Sequence, residues 1–298
     1  MLAPIGFIGV GIMGKGMIKN LVNKLHRPVV IWNRGAEASK EMLGQFPDYI
    51  SIASSPAEVV SKCGTTFCML STPEASQNVF EASDGVFNAI TAGKIIVDCA
   101  TLTPERMMEE QRIISSKGGL FLEAPVSGSK VPAENGQLIF LCGGDQAVFD
   151  SADVKAGLES MGKASFLFGP AGQGTRVKLV VNMIMGAMMT TLAEGAALAD
   201  AADIPLDKLL QVLDLGAMAN PMFKLKGANL ISEKHDPHFP LKHAQKDMKF
   251  ALGMGDQYDL DMPTIKASND VFMKALDAGK GDEDMSAVYT VAKKAKKA

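Results

Sequence analysis

The chain has 298 residues, of which 47% are hydrophobic and 21% are charged, and its formal net charge is −3. At roughly 150 residues per domain, this length predicts two domains, and the apolar content excludes a mainly disordered protein. The slightly acidic balance gives no reason to expect a nucleic-acid partner or a membrane partner.

The first half of the chain alternates short β-rich runs with segments of helical length. Six runs predict strands, at residues 5–8, 29–32, 65–70, 95–97, 120–122 and 138–142. The first five are largely apolar, as in parallel strands that are buried on both faces. Polar segments such as residues 36–44 and 104–117 lie between them. The strand–helix–strand order predicts an α/β fold with a doubly wound, Rossmann-type sheet.

A G-x-G-x-x-G motif comes directly after the first strand. It is formed by Gly9, Val10, Gly11, Ile12, Met13 and Gly14, and a helical stretch over residues 15–25 follows it. In this context the first glycine permits a tight turn, the second lets a pyrophosphate approach the backbone, and the third lets helix and strand pack closely. The helix start then presents unpaired N–H groups to the phosphates. The motif predicts a dinucleotide site; a glycine-rich turn without a ligand is the alternative.

The end of the second strand indicates which dinucleotide binds. An NAD site usually has an acidic residue there to hold the ribose 2′-hydroxyl, whereas this strand ends in Trp32, Asn33 and Arg34. The Arg34 guanidinium can pair with a 2′-phosphate and stack on adenine. NADP(H) is therefore favoured over NAD(H), unless Arg34 is only a surface residue at a strand end.

Small polar residues follow the fifth strand, where open α/β sheets bind their ligands. Ser127, Gly128 and Ser129 supply hydroxyl and backbone N–H groups that suit a carboxylate. The segment is a candidate substrate loop, with an ordinary polar loop as the alternative.

The four cysteines predict neither a disulfide framework nor a zinc motif. Cys99 and Cys142 lie in apolar runs, where a thiol behaves as a small hydrophobe. This usage fits a reducing compartment, and no basic flank precedes the apolar residues 2–13 as it would in a secretory signal. We expect a cytoplasmic protein. Location in an organelle, after removal of a transit peptide, is the alternative.

After Gly174 the composition changes to long runs rich in alanine, methionine and leucine. Residues 177–202 predict one long, nearly all-apolar helix, which should be buried. Prolines at positions 205, 221, 237, 240 and 263 separate further helical segments. With a turn cluster at residues 169–172, these features predict a Rossmann domain over residues 1–170 and an all-α domain over residues 171–298.

The start of the long helix carries the strongest catalytic candidate. Lys178 and Asn182 are four residues apart, so they share one face of an otherwise apolar helix. A lysine in that position is desolvated, which lowers its pKa toward the range of proton transfer. A lysine whose stem snorkels at a helix start is the alternative. A second charged pair, Lys246 and Asp247, is expected on a solvated helix face when judged alone.

Three histidines near the middle of the second half are the remaining candidates for metal ligands. His235, His238 and His243 cluster loosely with Asp236, but prolines interrupt any single helix that would align them. We therefore expect no metal site. The lysine-rich residues 292–298 are expected to form a solvated, frayed helix terminus.

Five stretches together carry a family resemblance, at residues 9–15, 126–138, 213–224, 239–248 and 284–288. The chain resembles the β-hydroxyacid dehydrogenases, which include 3-hydroxyisobutyrate, 6-phosphogluconate and tartronate-semialdehyde enzymes. The likeness covers nearly the whole chain and is greatest to the glyoxylate/succinic semialdehyde reductase branch known from plants. It implies an NADPH-dependent reductase of small aldehyde acids that forms a homodimer or homotetramer.

The resemblance also implies roles for individual residues. Lys178 corresponds to the catalytic lysine, which acts as general acid, and the segment from Ser127 to Ser129 corresponds to the substrate-carboxylate loop. The other implied positions are Asn182 beside the lysine, Thr101 near the nicotinamide, Met69 and Leu70 over the cofactor ribose, Lys246 at the cofactor, and Phe239 and Asp247 in the substrate pocket.

The chain departs from the family pattern at a few positions. Gly35 stands where this branch usually has Ser or Thr, which removes one hydroxyl from the 2′-phosphate and weakens the expected NADP preference. Thr72, Ala100 and Glu123 replace a common acid, serine and aspartate. The open alternatives are a 3-hydroxyisobutyrate or tartronate-semialdehyde dehydrogenase, an imine reductase and, in a different class, a catalytically silent NADP-binding scaffold.

Overall fold

A computed structural model describes residues 3–293 of the chain. The chain divides into two compact units, Met1–Lys178 and Leu179–Ala298. Most of the expected frayed terminus, residues 294–298, lies outside the described residues.

The first unit is built on a nine-stranded sheet. Its strands are β1 (Ile5–Ile8), β2 (Val29–Trp32), β3 (Ile50–Ile52), β4 (Thr65–Cys68), β5 (Ile95–Asp98), β6 (Leu120–Glu123), β7 (Val126–Ser127), β8 (Leu138–Gly144) and β9 (Gly162–Leu167). Parallel pairing joins them in the order β3-β2-β1-β4-β5-β6, and β8 then pairs antiparallel with β6 and β7 and parallel with β9. The strand order reverses between β1 and β4, which is where doubly wound sheets bind their ligands.

Helices connect these strands, and several begin with the same local device. They are α1 (Ile12–Leu25), α2 (Ala36–Gln45), α3 (Pro56–Lys62), α4 (Pro73–Glu81), α5 (Pro104–Ser116), α6 (Lys130–Glu134), α7 (Gln146–Phe149) and α8 (Ala152–Met161). A Ser or Thr followed by proline starts α3, α4 and α5, and in each the hydroxyl accepts a hydrogen bond from the backbone N–H three residues later. The proline occupies the first helical position, where no N–H is needed.

The sheet is buried on both faces, as the apolar runs predict. Phe7 and Ile31 belong to one hydrophobic cluster, whereas Ile8 and Val30 belong to a second. Alternate residues of one strand point to opposite faces, so these two clusters cover the two sides of the sheet. The predicted doubly wound Rossmann sheet is confirmed.

The predicted set of strands lacks three that the structure contains, β3, β7 and β9. β3 is an edge strand of three residues in which Ser51 and Ile52 are exposed, so it has no apolar run. β9 carries polar residues such as Lys163 and Ser165 among its apolar ones and has only half-buried or exposed positions. These segments adopt strand conformation because they pair with a neighbouring strand, and a local sequence pattern does not reveal that pairing.

The regular secondary structure in the described residues of the second unit is helical, apart from one short bridge between Pro240 and Asp284. Its helices are the greater part of α9 (Gln173–Ala201), α10 (Leu206–Leu215), α11 (Pro221–Ser232), α12 (Leu241–Gln257), α13 (Pro263–Asp277) and α14 (Val288–Ala292). The core of this unit includes Met189, Met248, Phe272 and Tyr289. The predicted all-α second domain is confirmed.

The prediction of one long helix is confirmed by α9, but the prediction that this helix is buried is wrong in part. Val180, Ile184 and Leu198 are exposed, whereas Met189 and Leu192 pack in the helical core. Apolar residues surround this helix, and only some of its faces are covered by neighbouring helices of the chain. Among the described helices, α9 is also long and apolar enough to cross a membrane, a test that core helices of water-soluble proteins pass equally.

The four cysteines are free and buried. Burial raises the pKa of the Cys63 and Cys142 thiols to about 12. These thiols therefore stay protonated near neutral pH and contribute as small apolar groups.

Candidate active site

The glycine motif forms an open cradle between β1 and α1. Gly9 has a φ of +101°, and a Cβ there would lie 2.3 Å from the Met69 carbonyl oxygen. A Cβ on Gly14 would lie 2.0 Å from the Gly9 carbonyl oxygen, whereas one on Gly11 would meet nothing within 4 Å. Helix α1 begins at Ile12 without a side-chain cap and without an acidic residue in its first turn. Space over Gly11 and an uncapped helix start fit the pyrophosphate of a dinucleotide.

Asn33 ties this loop to the end of β2. Its side-chain oxygen accepts a hydrogen bond from the Val10 backbone N–H at 3.0 Å, and its amide donates to the Gly35 carbonyl at 2.9 Å. The adjacent Arg34 is exposed at the same edge of the sheet. Asn33 therefore stabilises the conformation of the glycine loop. The Arg34 guanidinium is exposed to solvent, where it can contact a 2′-phosphate.

The other cofactor residues implied by the resemblance follow the two next strands in the sheet. Met69 and Leu70 come directly after β4, and the Met69 N–H donates to the Ile8 carbonyl at 2.8 Å. Thr101 comes three residues after β5 ends and is half-buried. Because β2, β1, β4 and β5 are neighbouring parallel strands, their carboxyl ends place these residues along one edge of the sheet.

A buried acid pair lies beneath the Thr101 segment and was missed in the sequence. Asp98 accepts a hydrogen bond from the Ala100 N–H at 2.8 Å, and Glu110 accepts from the Ser76 hydroxyl at 2.5 Å and from Arg106 Nε at 2.9 Å. Burial raises the pKa of Asp98 to about 6. Burial, together with the neighbouring Asp98 charge, raises the pKa of Glu110 well above its usual value. This environment therefore favours the protonated form of Glu110.

Glu110→Gln is expected to leave the free energy of unfolding at pH 8 nearly unchanged, because glutamine has the shape and donors of a protonated glutamic acid. Glu110→Ala should cost about 1–3 kcal/mol, since it leaves buried groups unpaired. The raised pKa values of both acids predict that wild-type stability falls as pH rises: the Asp98 contribution is lost between its usual 3.8 and about 6, and the Glu110 contribution is lost as pH rises further through the raised pKa of Glu110. Urea unfolding at pH 4, 6 and 8, with Glu159→Gln on α8 as the exposed control, measures all three effects. An equal loss at pH 8 in the Gln and Ala variants would show that Glu110 is ionised.

The candidate carboxylate loop leaves β7 and enters α6. Gly128 has a φ of +135°, and a Cβ there would lie 2.8 Å from Leu138. Ser127 and Ser129 are half-buried, and Ser129 is the N-cap residue of α6 without making a side-chain capping hydrogen bond. The backbone conformation thus requires glycine between two serines whose side chains are not used to cap the helix.

Lys178 and Asn182 lie one turn apart on α9, and both are buried. Lys178 is 5% exposed and is the last residue of the first unit, whereas Asn182 is 3% exposed and belongs to the second unit. The expected desolvation of Lys178 is confirmed. Its proposed role in proton transfer stays a prediction.

Within the second unit, Asn182 joins a buried polar group on α12. Its side-chain amide donates to Asp247 Oδ2 at 2.5 Å, and Lys246 Nζ lies 3.1 Å from Asp247 Oδ1. Asp247 is 2% exposed. The expectation of a solvated face for Lys246 and Asp247 is wrong, because α12 turns Asp247 to the side on which its apolar residues pack. Lys246 also lies over the Phe250 ring, 5.1 Å from its centre.

Phe239 lies on a segment before α12 that a buried ion pair holds. Asp284 accepts hydrogen bonds from the Phe239 N–H at 3.1 Å, the His238 N–H at 3.2 Å and Lys226 Nζ at 2.7 Å. Burial opposes ionisation of Asp284, but the Lys226 charge and these donors outweigh it and keep the pKa of Asp284 below its usual range. The sequence assigned no role to either partner of this ion pair.

The histidines do not form a metal site within the part of the chain that the structure describes. Among residues 3–293, no three potential ligands from His, Cys, Asp and Glu are placed together. His235 Nδ1 instead lies 2.9 Å from the Ser286 hydroxyl, and burial lowers the pKa of this histidine. His235 therefore contributes to packing around Asp284 in its neutral form.

The comparisons with known proteins cover both units. Residues 4–169 match the family model described as "NAD binding domain of 6-phosphogluconate dehydrogenase". Residues 172–292 match the one described as "NAD-binding of NADP-dependent 3-hydroxyisobutyrate dehydrogenase".

The chain is 45% identical over 289 residues to glyoxylate/succinic semialdehyde reductase 1 of Arabidopsis thaliana, covering 97% of this chain and 98% of that protein. It is 42% identical to the chloroplastic glyoxylate/succinic semialdehyde reductase 2 of the same plant, covering 98% of this chain and 80% of that protein. The solved 3-hydroxyisobutyrate dehydrogenase of Salmonella typhimurium has the same fold, with a TM-score of 0.86 at 23% identity over 97% of this chain and 99% of that chain. The chain therefore belongs to the 3-hydroxyisobutyrate and 6-phosphogluconate dehydrogenase family, the β-hydroxyacid dehydrogenases, and is an NADP-dependent oxidoreductase.

Proposed function

We propose that this oxidoreductase reduces small aldehyde acids with NADPH, converting glyoxylate to glycolate and succinic semialdehyde to 4-hydroxybutyrate. The observation that carries the proposal is the buried Lys178, one turn before Asn182 on α9. The names of the two plant relatives, whose identity extends over nearly the whole chain, support this substrate class.

Each residue has a defined task in this reaction. NADPH, when bound, supplies the hydride that the aldehyde carbon accepts. The Lys178 ammonium polarises the carbonyl oxygen and gives its proton to the alkoxide oxygen, so the product is an alcohol and the lysine takes up a proton from solvent. Asn182, hydrogen-bonded to Asp247, is available to orient the lysine or the substrate. Phe239 and Asp247 line the substrate pocket in this proposal.

The roles of the remaining residues follow the family pattern. Ser127, the Gly128 backbone and Ser129 hold the substrate carboxylate and thereby place the aldehyde for reaction. The segment from Gly9 to Gly14, with Asn33 and Arg34, holds the phosphates. Met69, Leu70, Thr101 and Lys246 contact the ribose and nicotinamide portions of the cofactor.

Initial rates over a panel of substrates test the proposal. NADPH oxidation is measured with glyoxylate, succinic semialdehyde and tartronate semialdehyde, and NADP⁺ reduction is measured with 3-hydroxyisobutyrate. We expect the highest kcat/KM with glyoxylate or succinic semialdehyde. A higher value with 3-hydroxyisobutyrate or tartronate semialdehyde assigns the chain to the corresponding dehydrogenase, and no turnover of any substrate favours a cofactor-binding scaffold.

Arg34→Ala is expected to raise the KM for NADPH about 10-fold, the equivalent of one charge-assisted contact, and to leave the KM for NADH unchanged. Only NADPH carries the 2′-phosphate that this guanidinium would bind. Steady-state rates with each cofactor measure the effect, and Arg112→Ala, an exposed arginine on α5, is the matched control. Equal effects on both cofactors would remove Arg34 from the phosphate site.

Ser127→Ala and Ser129→Ala are each expected to lower kcat/KM for glyoxylate about 10- to 100-fold, the cost of a hydrogen bond to a charged group. The same variants should leave the low rate with an uncharged aldehyde of similar size unchanged, because binding energy at the carboxylate positions the reacting carbon. Ser116→Ala, exposed on α5, is the control. Comparable kcat/KM values for glyoxylate and the uncharged aldehyde in the wild type would contradict carboxylate anchoring.

We also propose a homodimer or homotetramer in the cytoplasm. The second unit exposes large apolar side chains, among them Val212, Met218 and Leu215, the last of which is 90% exposed. Helix α10 has no buried residue at all. A second copy of the chain would cover such a surface, and buried, protonated cysteines are compatible with a reducing compartment.

A further inference from the structure

Glu123, the last residue of β6, anchors the start of α9 to the sheet. Its buried carboxylate accepts three hydrogen bonds from two consecutive residues. One comes from the Gly174 N–H at 2.7 Å, and two come from Thr175, through its N–H at 3.3 Å and its hydroxyl at 2.7 Å. An ordinary helix cap comes from a residue just before the helix, whereas this acceptor is a strand residue more than 50 positions away.

The packing around this contact leaves little room for the helix to shift. A Cβ on Gly174 would lie 2.2 Å from the Leu141 carbonyl oxygen, and one on Gly143 would lie 2.2 Å from Glu123 Oε1. The first turn of α9 therefore sits directly on β6 and β8. Both anchoring partners, Glu123 and Thr175, are completely buried.

The electrostatic environment of Glu123 also bears on its contact with the start of α9. Burial raises the pKa of Glu123, while the Thr175 hydroxyl and the backbone donors of the helix start act in the opposite direction. A carboxylate at the positive end of a helix is stabilised by the unpaired N–H groups there. The three donors point at the carboxylate, so they stabilise its ionised form.

We propose that Glu123 is a positioning residue for Lys178. Lys178 follows Thr175 by three residues, so the two side chains lie on neighbouring turns of the same face of α9. By holding Thr175 against β6, Glu123 sets the position of the Lys178 ammonium relative to the carboxyl edge of the sheet. The consequence for catalysis rests on the proposed function, whereas the anchoring itself does not.

Glu123→Gln is the first test, because glutamine keeps the volume but has one acceptor oxygen for three donors. A displacement of ~1 Å of a catalytic group costs about 10²-fold in rate, so we expect kcat with the best aldehyde acid to fall about 10- to 100-fold. KM for NADPH should stay within about 2-fold, since the phosphates are held by the glycine loop. Glu159→Gln, an exposed glutamate on α8, is the control and should leave kcat unchanged.

Substitutions of Thr175 provide a second, independent test that leaves the buried Glu123 carboxyl group in place. Thr175→Ser keeps the hydroxyl and should retain wild-type kcat, whereas Thr175→Val removes it and should lower kcat. Because both residues act through one contact, the loss in the Glu123→Gln/Thr175→Val double variant should be smaller than the product of the single losses. Wild-type kcat in both Glu123→Gln and Thr175→Val would overturn the proposal, as would an equal loss in Thr175→Ser and Thr175→Val.

Hydrogen exchange and lysine labelling test the anchoring role of Glu123 independently of the proposed reaction. In Glu123→Gln, amides of residues 174–178 should exchange faster than in the wild type, and Lys178 should react faster with an amine-labelling reagent. Unchanged exchange and labelling would overturn the anchoring role. If the wild type reduces no aldehyde acid but these two readouts change, the proposed function fails and the anchoring stands.

Discussion

Lys178→Met is expected to lower kcat for aldehyde-acid reduction by about 10²–10⁴-fold, the usual contribution of general acid catalysis. Methionine keeps the apolar stem in a site where Lys178 is 5% exposed, so the change removes little more than the ammonium group. NADPH binding should be nearly unchanged, because the proposed phosphate site at the glycine loop and Arg34 does not include Lys178. Single-turnover rates and fluorescence titration with NADPH measure the two quantities separately.

Lys155→Met, an exposed lysine on α8, is the matched control and should have wild-type kcat. A Lys178→Met protein that binds NADPH and turns over near the wild-type rate would contradict the assignment. The proton donor would then have to be sought elsewhere, and Lys246, beside Asp247, would be the next residue to replace.

Lys226→Met is expected to lower the free energy of unfolding by about 3–5 kcal/mol, because it leaves the Asp284 carboxylate buried without its partner. Both residues are almost completely inaccessible, and Lys226 Nζ lies 2.8 Å and 2.7 Å from the two carboxylate oxygens. Urea unfolding at pH 7 followed by circular dichroism measures the loss. The Lys226→Met/Asp284→Asn double variant should be destabilised by less than the sum of the single changes.

A lysine two residues earlier on α11 supplies the control for this prediction. Lys224 is 74% exposed in its side chain and pairs with Asp214 at 3.3 Å. Lys224→Met should therefore cost at most about 1 kcal/mol. The lowered pKa of Asp284 predicts that the pair contributes above the usual pKa of 3.8 and that this contribution is lost as pH falls through the lower folded value. Equal losses in Lys226→Met and Lys224→Met would show that the buried pair is energetically unimportant.

Local patterns predict those parts of the molecule that local interactions determine. The apolar runs at residues 5–8 and 29–32 identify β1 and β2 because both faces of each are buried. The glycine motif is recognisable because Gly9 and Gly14 leave no room for a Cβ, whereas Gly11 leaves open space where a ligand can approach the backbone. Proline after Ser or Thr marks the start of three helices. Edge strands such as β9 carry no such pattern, since their strand conformation comes from pairing with β8.

The contacts that support the site are not visible in sequence spacing. Glu123 meets Thr175, Lys226 meets Asp284 and Asp98 lies beside Glu110 only after the chain has folded. Asp247 illustrates the same limit, since its neighbours along the chain indicate a solvated face, whereas α12 turns it inward to Asn182. Residue type and family resemblance indicate the candidate site residues, whereas their long-range partners are found only in the structure.

The most direct test of the proposed reaction is the transfer of deuterium from NADPH to the aldehyde carbon. The wild-type protein is incubated with succinic semialdehyde and, in separate reactions, with NADPH deuterated at either face of nicotinamide C4. We expect one of the two cofactors to yield 4-hydroxybutyrate with a single deuterium at C4, as seen by NMR, and the other to yield unlabelled product. Absence of 4-hydroxybutyrate, or product without deuterium from either cofactor, would contradict the account.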